Sequence, residues 1–457
     1  MTARETIDLL RQYESRNVMF TEPDGSWPIV WERARGVHVW DADGKKYLDL
    51  TAAFGVAAAG HANPNVVRAG QKQMTRLLHA MGDVHPHALK AKLARELSWL
   101  TFERWAKENR QSATRRVGAR ARRVGNRQWG KVIFSNSGFE AVESALKTAI
   151  LATGKRGVIA FEGGYHGLGY GALNATHREY FRQPFRSQLR EFGSFSKFPK
   201  AKTDLPALEK SLRQIFRREK IGAVLVEPIQ ARGGTNVPPL EFLPLLRKLC
   251  DEHGALLILD EIYTGFGRTG KWFACEHSGV VPDLICLGKA LTGGFPLSAC
   301  VGRADLMDAA WPASNGEAIH TSTFLGHPVG CAMALAQIKE VQQLKLCERS
   351  AKLGAHLLEL LSTINHQPST SRGLGLMVGL ELNLPNGKPA TELALNAIKT
   401  LLHRGYIFLP EGEHGNIISF TPPLTITKAQ LTKAVAELKK VLTTDQHRWT
   451  QIKSNCD

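Results

Sequence analysis

The sequence predicts an α/β protein with a large domain, built on a mostly parallel and doubly wound sheet, and a smaller α/β domain built from N- and C-terminal parts. Two observations predict it. Short apolar strands alternate with helical stretches through the middle of the chain, which is the order of βαβ units. The chain also has 457 residues, too many for one compact core. We place the small domain in 1–60 and 326–457, which includes a linking helix, and the large domain in 61–325.

The central elements alternate regularly. A strand, a helix and a second strand are predicted by the runs KVIFSNS, EAVESALKTAILATG and RGVIAFEGG. A strand, a helix and two further strands follow in the runs IGAVLVEPIQ, PLLRKLCDEHG, ALLILDE and DLICLGK. Because βαβ crossovers are right-handed, we expect the carboxyl ends of these strands along one edge of the sheet.

The two ends of the chain predict the smaller domain. The run VHVWDADGKKYLDL predicts a hairpin, since the turn residues DADG lie between β-rich segments. Near residue 326 the small-residue helix PVGCAMALAQIKEVQQL leads to a C-terminal part. That part contains the strands LMVGLEL and IISFTP and a last helix, KAQLTKAVAELKKVL.

Composition indicates a soluble cytoplasmic protein. The mean hydropathy is −0.19, and no apolar run approaches the ~20 residues that span a bilayer. The start, MTARETIDLLRQYESRN, carries charge in every turn, unlike a signal peptide. The seven cysteines are scattered and odd in number, which favours a reducing compartment and indicates no metal site. No membrane partner is expected.

Much of the net charge of +17 lies in two basic stretches. Residues 104–131 hold ten Arg and Lys against one Glu, and 178–220 hold twelve against five acids. One interpretation is a surface for a polyanion. The other, which we favour, is a solvated insertion at 104–131, because neither a nucleic-acid motif nor interleaved aromatic residues accompany the charge.

Two residues at strand ends indicate catalysis. The apolar run LLIL ends at Asp260, and 29 residues later the run LICL leads to Lys289 in a glycine-rich turn. Ligands of doubly wound sheets bind outside the carboxyl ends of the strands. Pyridoxal 5′-phosphate needs a lysine for its Schiff base and a carboxylate facing its pyridine nitrogen. The alternatives are a surface lysine and an aspartate that caps a helix.

Neighbouring motifs offer further contacts. After KVIF the chain enters a helix at Ser137 and Gly138, where unpaired N–H groups suit a phosphate. Ser137 with Glu140 also fits a capping box, which is the structural alternative. Tyr165 lies among glycines, so its ring can stack on a flat cofactor or face the core. Glu227 ends another strand and could bond near the cofactor or orient a side chain.

The series NSGFEAVESALK, FEGGYHG, VEPIQ, LDEIYTGFGRTG, PDLICLGKAL and TSTFLGHPVGCAMALA resembles the class III aminotransferases, pyridoxal-phosphate enzymes of fold type I. The resemblance runs from about residue 30 to about residue 425. It implies that Lys289 forms the Schiff base and moves the substrate Cα proton, and that Asp260 pairs with the pyridine nitrogen. It further implies cofactor contacts by a set of flanking residues: Ser137, Gly138, Phe139, Tyr165, His166, Glu227, Ile262, Tyr263 and Thr323.

The resemblance also implies partners and substrate contacts. Thr323 would reach the phosphate of a neighbouring subunit, which makes the protein a homodimer. Arg372 would bind a substrate carboxylate bidentately. Arg232 stands where several relatives carry a glutamate, Tyr263 where many carry glutamine, and Phe54 where ornithine-type members carry a tyrosine in the substrate entrance formed by 1–60.

The function implied is transfer of an amino group from an amine or amino acid to a keto acid, 2-oxoglutarate or pyruvate, by a ping-pong Schiff-base mechanism. An alternative is a racemase or epimerase, a decarboxylase or an aminomutase of the same family, because the arginine at position 232 departs from the dual-substrate pattern. A third interpretation is polyanion binding by the basic insertion.

Overall fold

The structure, a computed structural model, describes residues 1–22, 26–108, 129–364 and 368–454. Fifteen strands in these residues form three sheets. The strands are β1 (Trp31–Arg35), β2 (His38–Asp41), β3 (Lys46–Asp49), β4 (Gly130–Ser135), β5 (Gly157–Phe161), β6 (Gly193–Ser196), β7 (Ile221–Val226), β8 (Leu256–Asp260), β9 (Leu284–Leu287), β10 (Ser298–Arg303), β11 (Ser369–Leu374), β12 (Met377–Leu382), β13 (Tyr406–Ile407), β14 (Leu409–Glu411) and β15 (Ile417–Phe420).

The largest sheet has seven strands in the order β4-β10-β9-β8-β7-β5-β6. Its pairs from β9 to β6 are all parallel, which confirms the mostly parallel sheet predicted from the sequence. β10 runs antiparallel between β9 and β4. A short connection leads from β9 to β10, and such a connection joins antiparallel neighbours, whereas parallel strands need a longer crossover.

Helices cover both faces of this sheet. Ile159 and Phe161 of β5 pack into one apolar cluster, and Val158 and Ala160, which alternate with them, pack into another. Because successive side chains of a strand point to opposite faces, both faces are buried, as the doubly wound prediction requires. The longer helices are Ala3–Tyr13, Pro64–Arg76, Ala88–Ser98, Gly138–Thr153, Leu205–Arg218, Phe242–His253, Pro328–Gln343, Leu346–Ser362, Thr391–His403 and Lys428–Ser454, and the shorter ones are Tyr170–Ala175, Glu179–Arg182 and Ala304–Ala310.

Two four-stranded sheets lie outside the large one, and the first combines both ends of the chain. The predicted hairpin is confirmed by the antiparallel pairing of β2 with β3, and β3 pairs in parallel with β13. The second sheet, β11-β12-β15-β14, is antiparallel throughout. The small α/β part is therefore built from N- and C-terminal segments, as predicted. The exact domain boundaries stay a prediction.

A left-handed turn at 52–55 follows β3. All four residues have positive φ, from 48° at Ala52 to 80° at Gly55. The Asp49 carboxylate stabilises the turn, because it accepts hydrogen bonds from the backbone N–H groups of Thr51 at 2.8 Å and Ala53 at 3.2 Å. L-residues avoid this conformation, so surrounding contacts hold the backbone here.

Most of the basic stretch at 104–131 lies outside the described residues, and its role stays a prediction. At its beginning, Arg104 forms an ion pair with Glu276. None of the helices in the described ranges is long and apolar enough to cross a bilayer.

Candidate active site

The carboxyl ends of the parallel strands bring the predicted residues to one edge of the large sheet. β8 ends at Asp260, which lies opposite Cys286 of β9 in the strand register. β9 ends at Leu287, and Lys289 follows in a short 3₁₀ turn. β7 ends immediately before Glu227. The acid and the amine that are separated in sequence are therefore neighbours in space.

Asp260 is held in a fixed orientation. Its Oδ2 lies 2.8 Å from Nδ1 of His166, and its Oδ1 accepts a hydrogen bond from the backbone N–H of Ile262 at 3.1 Å. The Asp260 and His166 side chains are 5% and 1% exposed. The backbone N–H of His166 donates to Thr176 Oγ1 at 2.9 Å, which ties the glycine-rich loop to the adjacent helix.

Lys289 lies against an aromatic ring in a buried environment. Its Nζ is 4.5 Å from the ring centroid of Tyr263. Burial lowers the pKa of Lys289, although the nearby Asp260 and Glu227 carboxylates oppose this. A lowered pKa increases the fraction of neutral amine, which is the nucleophilic form of a lysine. Burial also raises the pKa of Tyr263 to about 12, and its hydroxyl lies 3.2 Å from Thr421 Oγ1.

A helix begins beside Lys289. A Cβ built on Gly138, the first residue of that helix, would lie 3.0 Å from Ile262, and one on Gly288 would lie 3.2 Å from Ile262. Ile262 therefore fills the space between the helix start and the lysine loop. The Ser137 hydroxyl donates to Glu140 at 2.9 Å, and its backbone N–H donates to the same carboxylate at 2.7 Å. Ser137 thus acts as the capping residue in this structure.

Phe139, the next residue of the helix, packs beside the glycine-rich loop. A Cβ on Gly167 would lie 2.3 Å from the Phe139 Cβ, so this approach requires glycine. The predicted phosphate residues and the loop that carries Tyr165 and His166 therefore lie side by side.

Glu227 organises the loop that carries Tyr165. It accepts hydrogen bonds from the backbone N–H groups of Tyr165 at 2.9 Å and Ala231 at 3.1 Å. Burial raises the pKa of Glu227 to about 7, although the His166 ring opposes this. The guanidinium of Arg232 lies 4.8 Å from the ring centroid of Tyr165. Glu227 therefore positions both the aromatic ring and the turn that leads to Arg232.

The two arginines predicted to bind substrate have different surroundings. Arg372 donates to the carbonyl oxygens of Gly234 at 2.6 Å and Thr235 at 3.1 Å, and to Glu381 at 2.5 Å. The guanidinium of Arg232 lies over the rings of Tyr165 and Phe181, and it has no hydrogen bond or ion pair with the described residues. Arg232 is therefore the freer cation, and the role of Arg372 stays a prediction.

The remaining two predicted residues lie at the margins. Phe54 is 53% exposed in the left-handed turn, and a Cβ on the adjoining Gly55 would lie 2.9 Å from the Tyr263 ring. Thr323 is exposed in the segment before the Pro328–Gln343 helix.

Two further charged residues were missed by the sequence analysis. Glu411, at the end of β14, is 7% exposed, and its charge acts on Lys289. Arg178 donates to the carbonyl oxygens of Arg232 and Gly412. Neither residue follows a strand of the large sheet or belongs to a motif. Arg178 begins the basic stretch 178–220, but nothing in the sequence placed it at this site.

A chain with this sheet, a buried lysine beside an aspartate, and a helix N-terminus next to both has the architecture of a fold type I transaminase. The model of the aminotransferase class-III family matches residues 19–442. The chain belongs to the class III aminotransferases, which are pyridoxal phosphate enzymes.

Named relatives of the chain are also aminotransferases. The acetylornithine aminotransferase of Methanosarcina mazei is 36% identical over 93% of this chain and 94% of its own length. The putrescine aminotransferase of Pectobacterium atrosepticum is 37% identical over 96% and 88%. The structure of the ornithine aminotransferase from Toxoplasma gondii, with PLP at partial occupancy in its active site, matches with a TM-score of 0.79 and 27% identity over 98% and 96% of the two chains. All three are aminotransferases, which supports transamination over the alternative reactions.

Proposed function

We propose that Lys289 binds pyridoxal 5′-phosphate and that the enzyme uses it to transfer an amino group from an amine or amino acid to a keto acid, 2-oxoglutarate or pyruvate. The observation that carries the proposal is the buried Lys289 next to the Asp260–His166 pair. Lys289 supplies the amine and Asp260 the carboxylate that the cofactor needs.

The other residues fit the cofactor. Ile262 offers an apolar surface between the lysine loop and the helix that begins at Gly138. The N-terminus of that helix supplies N–H groups and a positive dipole for the phosphate. For Ser137 to bind the phosphate, its hydroxyl must turn from Glu140, to which it donates at 2.9 Å. Tyr165, held by Glu227, supplies an aromatic ring for stacking.

The chain's own residues would then act as follows. Pyridoxal phosphate, when bound, supplies an electron sink for the carbon that carries the reacting amine. The Asp260 carboxylate stabilises a proton on the pyridine nitrogen, because an opposite charge favours the protonated form. The ε-amine of Lys289, whose pKa is lowered by burial, removes the proton from the substrate carbon as a general base.

We also propose a homodimer in which Thr323 reaches the neighbouring subunit's cofactor phosphate. The supporting observation is an exposed apolar surface formed by two adjoining segments. These segments are 74–84 and 319–324, and the hydroxyl of Thr321 joins them by donating to the Asp83 carboxylate at 2.6 Å. The exposed apolar side chains are Met74, Leu77, Leu78, Met81, Val84, Ile319 and Phe324. Exposed apolar side chains on adjoining segments are typical of an interaction surface.

The absorption spectrum of the purified, cofactor-loaded protein tests the proposed function. We expect a band near the visible edge from the lysine-bound cofactor. A donor such as N-acetylornithine, ornithine or putrescine, added without keto acid, should bleach this band, because half of a ping-pong reaction then runs alone.

Lys289→Ala should lack the band, and Lys220→Ala, at an exposed lysine, should keep it. A wild-type protein without the band after cofactor loading would overturn the proposal. A band that every donor leaves unchanged would show cofactor binding without transamination of those donors.

A further inference from the structure

Glu411 is a buried carboxyl group whose charge acts on Lys289 and that the proposed mechanism does not use. It ends β14 and is 7% exposed. Its carboxylate has no hydrogen bond or ion pair with the described residues. A largely buried carboxyl group without a direct partner is costly, and its charge acts on Lys289, so a ligand is a natural explanation for its position.

The backbone locks Glu411 to the turn that carries Arg232. The N–H of Gly412, the next residue, donates to the Arg232 carbonyl oxygen at 3.2 Å. The Arg178 guanidinium donates to that same oxygen at 3.3 Å and to the Gly412 carbonyl oxygen. One carboxyl group and two guanidinium groups therefore lie in one region whose charges act on one another and on Lys289.

The charge of this region changes with one proton. Burial raises the pKa of Glu411 to about 7, although the positive charges of Arg232, Arg178 and Lys289 oppose this. Below that pKa the two guanidinium charges have no negative neighbour in Glu411. Above that pKa the negative Glu411 carboxylate offsets one of the two positive guanidinium charges. The other titratable groups around the cluster are Glu227, Tyr263 and, beside Arg178, Glu413.

We propose that Glu411 is a specificity-determining residue that controls whether the site accepts a keto acid with a second carboxylate. Its negative charge weakens the attraction of Arg232 and Arg178 for the far carboxylate of a dicarboxylic keto acid such as 2-oxoglutarate. Binding of that acid draws a proton from solvent onto a Glu411 oxygen, whereas a monocarboxylic keto acid binds without it. This inference rests on the proposed function and names the residue that sets its acceptor.

Binding of unreactive analogues to the cofactor-loaded enzyme tests the inference. The probes are glutarate, with two carboxylates, and butyrate, with one, measured by titration calorimetry. At pH 8.5 we expect Glu411→Gln to bind glutarate about tenfold more tightly than wild type, which corresponds to about 1.4 kcal/mol. At pH 6, where Glu411 is already protonated in the wild type, the difference should vanish. Butyrate affinity should stay unchanged.

A matched control and a measurement without mutation complete the test. Glu413→Gln removes the same charge at an exposed position two residues away and should change glutarate affinity by less than about twofold, because solvent screens exposed charges. Wild-type enzyme at pH 8 should take up about half a proton with glutarate, measured in buffers of different ionisation enthalpy.

Equal effects of Glu411→Gln on both probes would overturn the inference, and so would the absence of proton uptake by the wild type. Each assay begins with the absorption spectrum of the loaded protein. A missing lysine–cofactor band would refute the proposed function itself, and a normal band with unchanged glutarate affinity would refute the role of Glu411 alone.

Discussion

Arg232 and Arg372 differ in the hydrogen bonds that their guanidinium groups make with the described residues. Arg372 contributes its guanidinium to the carbonyl oxygens of Gly234 and Thr235 and to Glu381. It connects β11 to the turn after β7. Arg232 lies at that turn with its guanidinium over the Tyr165 ring. We expect the first arrangement to stabilise the protein and the second to leave a cation available for a substrate.

Replacing each arginine separates the two roles. We expect Arg232→Ala to raise the KM for a carboxylate substrate about 10- to 100-fold, the equivalent of about 1.5–3 kcal/mol for hydrogen bonds to a charged group, with little change in Tm. Arg372→Ala should lower the free energy of unfolding by about 1–3 kcal/mol, because it leaves buried carbonyl groups unpaired. Steady-state kinetics measures the KM, and thermal unfolding measures the Tm and the free energy of unfolding.

Arg217→Ala, at an exposed arginine on a helix surface, serves as the control and should change neither quantity. If Arg372→Ala instead raised the KM while leaving the Tm intact, Arg372 would be the carboxylate-binding residue that the family resemblance implies.

Sequence reasoning succeeded for residues at strand ends. Asp260, Glu227 and Lys289 follow apolar runs, and the geometry of parallel strands places such residues together. It failed for Glu411 and Arg178, which come from β14 and from the start of a short helix. Their proximity depends on how the C-terminal sheet packs against the turn after β7, which no local pattern encodes.

At the scale of elements, the turn at 52–55 is also beyond sequence prediction. Its first three residues are Ala, Ala and Phe, which avoid positive φ when nothing constrains them. The structure shows the constraints: Asp49 bonds to the backbone of the turn, and Gly55 lies against Tyr263. The turn therefore supports the Tyr263 ring, which lies against the Lys289 amine.

Two glycines with nearly the same backbone conformation test this support. Gly55 has φ 80° and lies against Tyr263, whereas Gly44 has φ 81° and open space around it. Both alanine variants should lose about 1 kcal/mol of stability from the backbone conformation. Only Gly55→Ala should also displace Tyr263 and shift the lysine–cofactor absorption band.

Thermal unfolding and the absorption spectrum measure the two effects. Identical spectra for Gly55→Ala and Gly44→Ala would mean that the turn does not position Tyr263.

At the scale of the whole molecule, the proposed homodimer predicts dependence of cofactor binding on assembly. Charged substitution of Leu78, which is 60% exposed, should shift the protein to a monomer, because it places an ion in an apolar interface. Analytical ultracentrifugation measures the mass, and cofactor affinity should fall in the monomer. Leu240, 62% exposed elsewhere on the surface, provides the control. A wild-type protein that sediments as a monomer would contradict the proposal.

The pairing of β3 with β13 has a consequence for biosynthesis. Leu48 and Tyr406 are partners in that register. The β3 edge of the N-terminal hairpin therefore stays unpaired during synthesis until nearly all of the chain has been made. The strands of the central sheet, from β4 to β10, emerge well before that point and can pair first. Distant pairings form slowly, and unpaired strand edges promote aggregation. We therefore expect a chain that terminates before residue 406, which leaves the β3 edge unpaired, to aggregate more readily than the full chain.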